Sequence, residues 1–337
     1  MARKAANRRV GITDVAKRAG VSLATVSRVM NGNFSVDPDI AARVKAAAAE
    51  LNYQPNAVGR SLALGKTDTI GVVVPDLANP TFQGMLRGVS RAAAQNGYRV
   101  LIADSSEVSS EESILAGEAR RRCDGVVLCA PRMNDAELEA LLPSLRPLVL
   151  VNRTSPDPGT PSLIVDYGQG IQDLARHLVE LGHQKLAFLA GPERSVSNEA
   201  RLLGLEKFRV DNPAIDLTIL PGGSNFEAGH GSVDAVLDSG VTGVLAFNDL
   251  VAMGLLSGLH ERGLDVPGDI SVTGFDDIPF ANFTTPPLTT AAVPITEIGE
   301  QAWHEMHRLL GNGEGAPAHS TFQPELRQRG TTGAARQ

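Results

Sequence analysis

Cysteine is nearly absent: Cys123 and Cys129 are the two in 337 residues, and they flank the apolar stretch DGVVL. So small a number excludes a disulfide scaffold and, without further ligands at metal-binding spacing, a zinc site; both are read as reduced core residues. No run of eighteen apolar residues occurs, so neither a hydropathic membrane span nor a membrane partner is expected. The basic opening MARKAANRRV has no apolar signal core behind it, and the expected location is the cytoplasm. Nucleotide and nucleophile signatures are missing too: no GxGxxG follows the first apolar run, and neither GxxxxGKS, GxxxxGKT nor GxSxG occurs. His304 and His307 stand three apart around Glu305, not at HExxH spacing, and read as a surface helix face. These absences argue against an enzyme and point to no cofactor or metal. Aromatics are also scarce, one Trp, three Tyr and ten Phe, so any beside polar strand ends carry weight.

Charge is plentiful but unevenly divided. The net charge is −7, yet residues 1–66 hold eleven Lys and Arg against four Asp and Glu, a balance of +7. The remainder holds 20 against 34, a balance of −14. A basic N-terminal unit on an acidic body implies a polyanionic partner for that unit alone.

The basic unit has helical periodicity. Ile12, Val15, Ala16 and Ala19 form one apolar stripe, with Thr13 and Asp14 as expected caps and Gly20 as the stop. Ser22 is a second N-cap candidate. From Leu23 the next helix has an inner stripe of Val26, Val29 and Met30 and an opposite face with Ala24, Ser27 and Arg28. Asn31-Gly32 closes it, and Asp37-Pro38 opens a third helix whose stripe is Ile40, Val44, Ala47 and Leu51. Two helices joined by a short turn and crossed by a third make a DNA-binding geometry, or else a plain three-helix bundle.

The stretch ITDVAKRAGVSLATVSRVMNG, followed by LNYQPNAVGRSLALGKTDTIGVVVPD, resembles the N-terminal region of the lactose-repressor (LacI/GalR) family of bacterial transcription regulators. Weaker similarity continues to about Thr332. The resemblance implies an all-α helix-turn-helix headpiece over 1–55, a hinge helix or linker over 56–67, and an α/β periplasmic-binding-protein-like core of two Rossmann-like lobes over 68–337. Its N-lobe is expected at about 68–163 and 292–318, its C-lobe at about 164–290 and 319–332. By the same resemblance Thr13, Ser22, Leu23, Ala24, Thr25, Ser27, Arg28 and Asn31 contact DNA, with Leu23 and Ala24 at the most variable base-reading positions. Leu and Ala cannot hydrogen-bond a base edge but can touch a thymine methyl, and Arg28 can donate bidentately to guanine.

The segment NAVGRSLALGK is too short to be a stable isolated helix, and Gly59 inside it lowers helix propensity further. Read alone it is a linker. The resemblance makes it the hinge that folds when two copies meet on the minor groove, with Asn56, Val58 and Leu62 in contact and Leu62 as the wedge. Gly59 departs from the Ala of many relatives, so DNA binding here must supply more of the ordering energy. A marginal helix suits a switch.

From Thr69 the pattern becomes α/β. TIGVVVP, RVLIADS, GVVLCA and PLVLVN read as buried parallel strands, and SLIVDY, KLAFLAG, GVLAFND and ISVTGFDD form a second series. TTAAVP and the helix ITEIGEQAWHEMHRLLG are expected to return to the first lobe. His183, ahead of a strand, reads as structural. Ligands of such sheets bind beyond the carboxyl ends of the strands. Polar groups gather there: Asp76 and Asn79, Asn152 and Arg153, Asn248 and Asp249, Asp276 and Asp277, with Arg201, Phe82 and Phe226 near. Paired Asp, Asn and Arg side chains beside an aromatic face suit neighbouring hydroxyls over C–H surface, the chemistry of a sugar or nucleoside. The resemblance places Asn79, Arg201, Asn248 and Asp276 at effector contacts, Phe82 at a ring-stacking position and Phe226 where relatives carry an aromatic. Asn152 replaces an Asp common in relatives; Arg153 fits a frequent pattern, while Asp249 and Asp277 also fit helix caps.

The expected function is therefore a ligand-responsive repressor, binding a near-palindromic double-stranded operator as a homodimer, with a sugar-like effector in the cleft. The alternatives are a nucleoside- or purine-responsive corepressed regulator and an α/β enzyme with an accessory DNA-binding domain.

Overall fold

A computed structural model describes residues 10–30, 36–53, 65–311 and 318–336. The chain divides into two compact units, Met1–Thr67 and Asp68–Gln337.

The first unit contains α1 (Ile12–Ala19), α2 (Leu23–Met30) and α3 (Pro38–Glu50). Helix α1 starts earlier than the Thr13 or Asp14 cap expected from sequence. Gly11 is the N-cap, and Asp14 reaches back from the first turn to accept from the Gly11 N–H at 2.9 Å. Gly20 ends α1 in the left-handed conformation, φ 68°, where a side chain would be strained. Ser22 Oγ accepts from the Thr25 N–H at 3.1 Å, and Asp37 caps α3 ahead of Pro38. Val15, Ala16, Val26, Val29, Val44, Ala47 and Ala48 form the core. The exposed Arg18–Glu50 ion pair adds little to it. Asn31, Asn56, Val58 and Leu62 lie outside the described residues.

The second unit is built on two six-stranded sheets. The first contains β1 (Thr69–Val74), β2 (Arg99–Asp104), β3 (Gly125–Cys129), β4 (Leu148–Val151) and β5 (Ser162–Val165). The second contains β6 (Lys185–Ala190), β7 (Asp216–Pro221), β8 (Gly243–Ala246), β9 (Ser271–Asp276) and β10 (Thr289–Ala292). The chain then adds β11 (His319–Phe322) to the first sheet and β12 (Glu325–Arg327) to the second, giving orders β11-β5-β4-β3-β1-β2 and β12-β10-β9-β8-β6-β7. All ladders are parallel except β12 on β10. Parallel strands covered by helices are buried on both faces, which explains their continuous apolar runs.

Three sequence boundaries require correction. TTAA belongs to the second sheet, because β10 pairs in register with β9, Thr289 opposite Thr273; the chain leaves that sheet after Ala292. Residues 319–322 belong to the first sheet, because β11 pairs with β5, so the breaks drawn at 163 and 318 each fall later. A short strand carries no mark of which sheet will accept it.

The helices of this unit are α4 (Pro80–Gln95), α5 (Ser109–Arg122), α6 (Asp135–Leu145), α7 (Tyr167–Glu180), α8 (Val196–Asp211), α9 (Phe226–Gly231), α10 (Val233–Asp238), α11 (Asp249–Glu261) and α12 (Ile295–Leu310). Helices α4 and α12 approach backbone to backbone. A Cβ on Gly88 would lie 2.1 Å from the Thr296 carbonyl oxygen, and one on Gly299 would lie 2.2 Å from that of Met85. Trp303 closes the contact, fully buried, donating from Nε1 to Asn96 Oδ1 at 2.9 Å. Gly88→Ala or Gly299→Ala is expected to force the helices apart and cost about 1–3 kcal/mol, read as a lower urea midpoint with unchanged slope.

Both cysteines are free and buried, and burial pushes their thiols up to about 11 for Cys123 and about 12 for Cys129. His183 is structural: its ring nitrogens bond Thr242 Oγ1 and Ser271 Oγ, each at 2.9 Å. Among the described residues no helix is long and apolar enough to cross a membrane.

Candidate functional site

Helix α2 turns its apolar stripe inward, so its remaining face is left to solvent. Leu23 is 49% exposed, and Ala24, Ser22 and Arg28 are exposed with it. Thr25 and Ser27 are half-buried, and Thr13 is exposed on α1. Ser22 and Thr25 share a hydroxyl–hydroxyl bond of 2.8 Å in addition to the cap. An exposed leucine at a helix N-terminus, followed by alanine and flanked by short hydroxyl side chains, presents a surface that can approach a groove floor closely.

In the second unit the strand ends bring Arg201 and Asp276 together. Arg201 lies on the first turns of α8, is 1% exposed, and has its guanidinium carbon 4.0 Å from the Phe275 ring centroid, 4.2 Å from Tyr167 and 4.6 Å from Phe247. Its Nη1 donates to the Ser197 carbonyl at 3.0 Å, while its Nε has no hydrogen-bond partner among the described residues. Burial lowers its pKa to about 10, partly offset by Asp276, so it stays a cation at neutral pH. A buried cation with an unused donor is costly unless a ligand completes it.

Asp276 ends β9 with φ 103° and is buried. Its Oδ2 accepts from Thr81 Oγ1 at 2.9 Å, and among the described residues no donor is bonded to Oδ1. Burial raises its pKa from 3.8 to about 6, against the opposing pull of Arg201 and the Thr81 hydrogen bond. Among the described residues no ion pair joins Arg201 to Asp276 directly. A buried donor and a buried acceptor held apart in this way can be bridged by hydroxyls.

A raised native pKa means that the fold binds this proton more tightly than the unfolded chain. The stabilisation is full below 3.8 and is lost as pH rises through about 6. The carboxylate acceptor exists above that value. Affinity for a hydroxylated effector is therefore expected to fall as pH drops through about 6, and to lose this dependence in Asp276→Asn, by calorimetric titration.

The other residues expected here have the following surroundings within the protein. Asn79 caps α4, accepting from the Thr81 N–H at 2.9 Å. Asn248 caps α11, accepting from Val251 N–H, and donates to the Ser224 carbonyl. Asp76 accepts from Ala78 N–H in a tight turn, and Phe82 is buried in the apolar core. Asn152, at φ 54°, donates to the Tyr167 hydroxyl at 2.8 Å and so steadies one wall of the Arg201 cage. Arg153 pairs with Asp135 at 2.6 Å, and Phe226 is half-exposed on the first turn of α9. Asp249 caps nothing: fully buried, it accepts from Thr290 Oγ1 and Ile278 N–H.

Sequence reasoning missed Thr81, Tyr167, Phe247 and Phe275. The last three end or follow the apolar runs SLIVDY, GVLAFND and ISVTGFDD, and an aromatic at that point of a parallel strand was the available signal. Beside Asp276 opens a cavity of about 610 Å³ whose lining includes Thr81, Gln83, Arg87, Phe280 and Glu297.

Known proteins share both the sequence and this build. A family described as bacterial regulatory proteins, lacI family, matches residues 11–56, and a periplasmic binding protein-like domain matches residues 175–332. The HTH-type transcriptional repressor CytR of Escherichia coli is 35% identical over 95% of this chain and 96% of its own length. The lac repressor dimer bound to operator and the anti-inducer ONPF is 30% identical, with a TM-score of 0.84 over 97% of this chain and 100% of that one. The complex of transcriptional regulator CelR with cellobiose is 27% identical, with a TM-score of 0.70 over 96% of this chain and 100% of that one. The matched headpiece, the two lobes and the end-to-end similarity together establish that the chain belongs to the LacI family of bacterial regulatory proteins.

Proposed function

We propose that this protein is an effector-responsive transcriptional repressor without enzymatic activity, acting in the cytoplasm on double-stranded operator DNA. A sugar-like molecule in the interlobe cleft changes its DNA affinity. The observation that carries the reading is the buried Arg201, with an unpaired Nε, facing the buried Asp276 on a chain that also presents the exposed face of α2. Its relatives support it: one solved relative holds operator, another cellobiose.

The test is to select duplexes from a randomised pool and measure their gel shift with D-ribose, cellobiose, adenosine and cytidine. A near-palindromic duplex and a change with at least one sugar are expected. Failure to select any duplex overturns the regulator reading, and a response confined to the nucleosides replaces the sugar by a nucleoside.

A homodimer is supported by the relative solved as a dimer on operator and by an exposed sheet edge. Strand β2 is terminal in its sheet, yet it exposes Leu101 and Ile102 on opposite faces, with Val108 and Ile114 exposed just after it. A terminal strand with exposed apolar side chains at its centre invites another chain to cover it. Ile102→Asp is expected to shift the light-scattering mass from two chains to one. A variant that remains dimeric places the dimer face elsewhere.

A further inference from the structure

The effector reading leaves one contact unused, the hydrogen bond from Thr81 on α4 to Asp276 at the end of β9, which joins the two lobes across 195 positions of chain. Resting on that reading, we propose that Thr81 is a positioning residue: its hydroxyl, donated from the first lobe, holds the Asp276 carboxylate with Oδ1 left for the effector, and thereby ties effector binding to the spacing of the lobes.

Both ends of the bond are anchored. Thr81 sits in the first turn of α4, where its own amide is capped by Asn79 and Pro80 sets the backbone. Further along, α4 is locked to α12 by the Gly88 and Gly299 contacts, so Thr81 cannot move without its lobe. On the other side Asp276 is followed by two fastened residues: Asp277 pairs with Arg329 at 2.7 Å, and the Ile278 N–H donates to Asp249 Oδ2 at 2.8 Å. A hydroxyl donating to a carboxylate in a buried site is a strong and directional bond. With Oδ2 occupied, rotation of the carboxyl group is restricted.

A second bond crosses between the lobes at an exposed position, from Arg194 Nη1 to Ser109 Oγ at 2.6 Å. It is exposed and so weaker, whereas the buried bond from Asn152 Nδ2 to the Tyr167 hydroxyl at 2.8 Å also joins the lobes; the Thr81 bond is the one that ends on the Asp276 carboxylate itself. The charged and titratable groups around Asp276 are Arg201 from α8, Tyr167 from α7 and Asp249 from α11, with Asp277 beside it and Arg87 from α4 and Glu297 from α12 lining the same cavity. Arg201 and the Thr81 hydroxyl both favour the carboxylate, whereas burial opposes it. Removing the hydroxyl therefore has a definite sign.

The test uses ligand-free, full-length protein labelled with carboxyl ¹³C in aspartate, titrated by NMR. The Asp276 resonance is identified by its loss in Asp276→Asn. It is expected to titrate near 6 in the wild type and in Thr81→Ser, which keeps the donor. In Thr81→Val and Thr81→Ala the midpoint is expected to rise by about half a pH unit or more. An unchanged midpoint in both apolar variants, or a serine variant that behaves as they do, overturns the proposal. No effector enters this titration, so its failure is distinct from failure of the cleft reading, which the ligand-dependent gel shift decides.

Discussion

Arg201→Met is expected to abolish the response to any effector while leaving the melting temperature unchanged or higher. The two halves of that result have separate causes. Methionine fills much of the volume of the arginine stem and packs against Tyr167, Phe247 and Phe275, which now surround the guanidinium. It also removes a buried charge that the protein supplies with a single hydrogen bond, to the Ser197 carbonyl, while leaving Nε unpaired. Replacing a poorly satisfied buried ion by an apolar side chain of similar size is commonly neutral or stabilising. Asp276, deprived of its counter-charge, takes up a proton more readily and so avoids most of the resulting penalty. Binding is different, because charge-assisted hydrogen bonds to the effector have no substitute. Loss of such a partner costs about 2–5 kcal/mol, or about 30-fold to several thousand-fold in affinity. Thermal melts with and without the active sugar measure both quantities. A variant that melts much lower would make Arg201 a structural residue, and one that keeps the ligand-induced shift would remove it from the pocket.

The second large effect is expected at the DNA. Arg28→Ala should weaken the selected operator by about 1–3 kcal/mol, roughly five- to more than a hundredfold, and relax the preference for guanine at one position of each half-site. Leu23→Gln should leave affinity within about tenfold but change the base preferred at a neighbouring step, from thymine toward adenine, because an amide can pair with the adenine edge where leucine touches only a methyl. Both side chains are exposed and outside the core of Val15, Val26 and Val44, so neither substitution should alter the fold. Sequencing of duplexes selected by each variant gives the answer. If Arg28→Ala weakens all duplexes alike, the arginine holds a phosphate and reads nothing. If Leu23→Gln keeps the original preference, α2 does not enter the groove in the assumed orientation.

Much of the headpiece is legible in the amino-acid sequence because its determinants are local. The 3–4 spacing of Val26 and Val29, the Ser22 cap, Gly20 and Asp37-Pro38 each act within one turn of helix. The misplaced start of α1 has the same local origin: Asp14 does cap the helix, but from the third position back to Gly11. Asn79 and Asn248 have a role that their place at strand ends does not announce. Both stand at strand ends, as effector contacts do, yet both precede a helix, and an asparagine there caps it.

From the sequence alone came the element types, the change to an α/β pattern from Thr69, the inward and outward faces of the first three helices, and the polar character of the strand ends, because dihedral preference and burial periodicity are written over neighbouring residues. The tertiary structure alone decided the rest. It assigned Thr289–Ala292 and His319–Phe322 to opposite sheets, assembled the Arg201 cage from residues 167, 247 and 275, and set Thr81 against Asp276. Those pairings depend on sheet order and on where the chain crosses between lobes, and no short-range pattern carries that information.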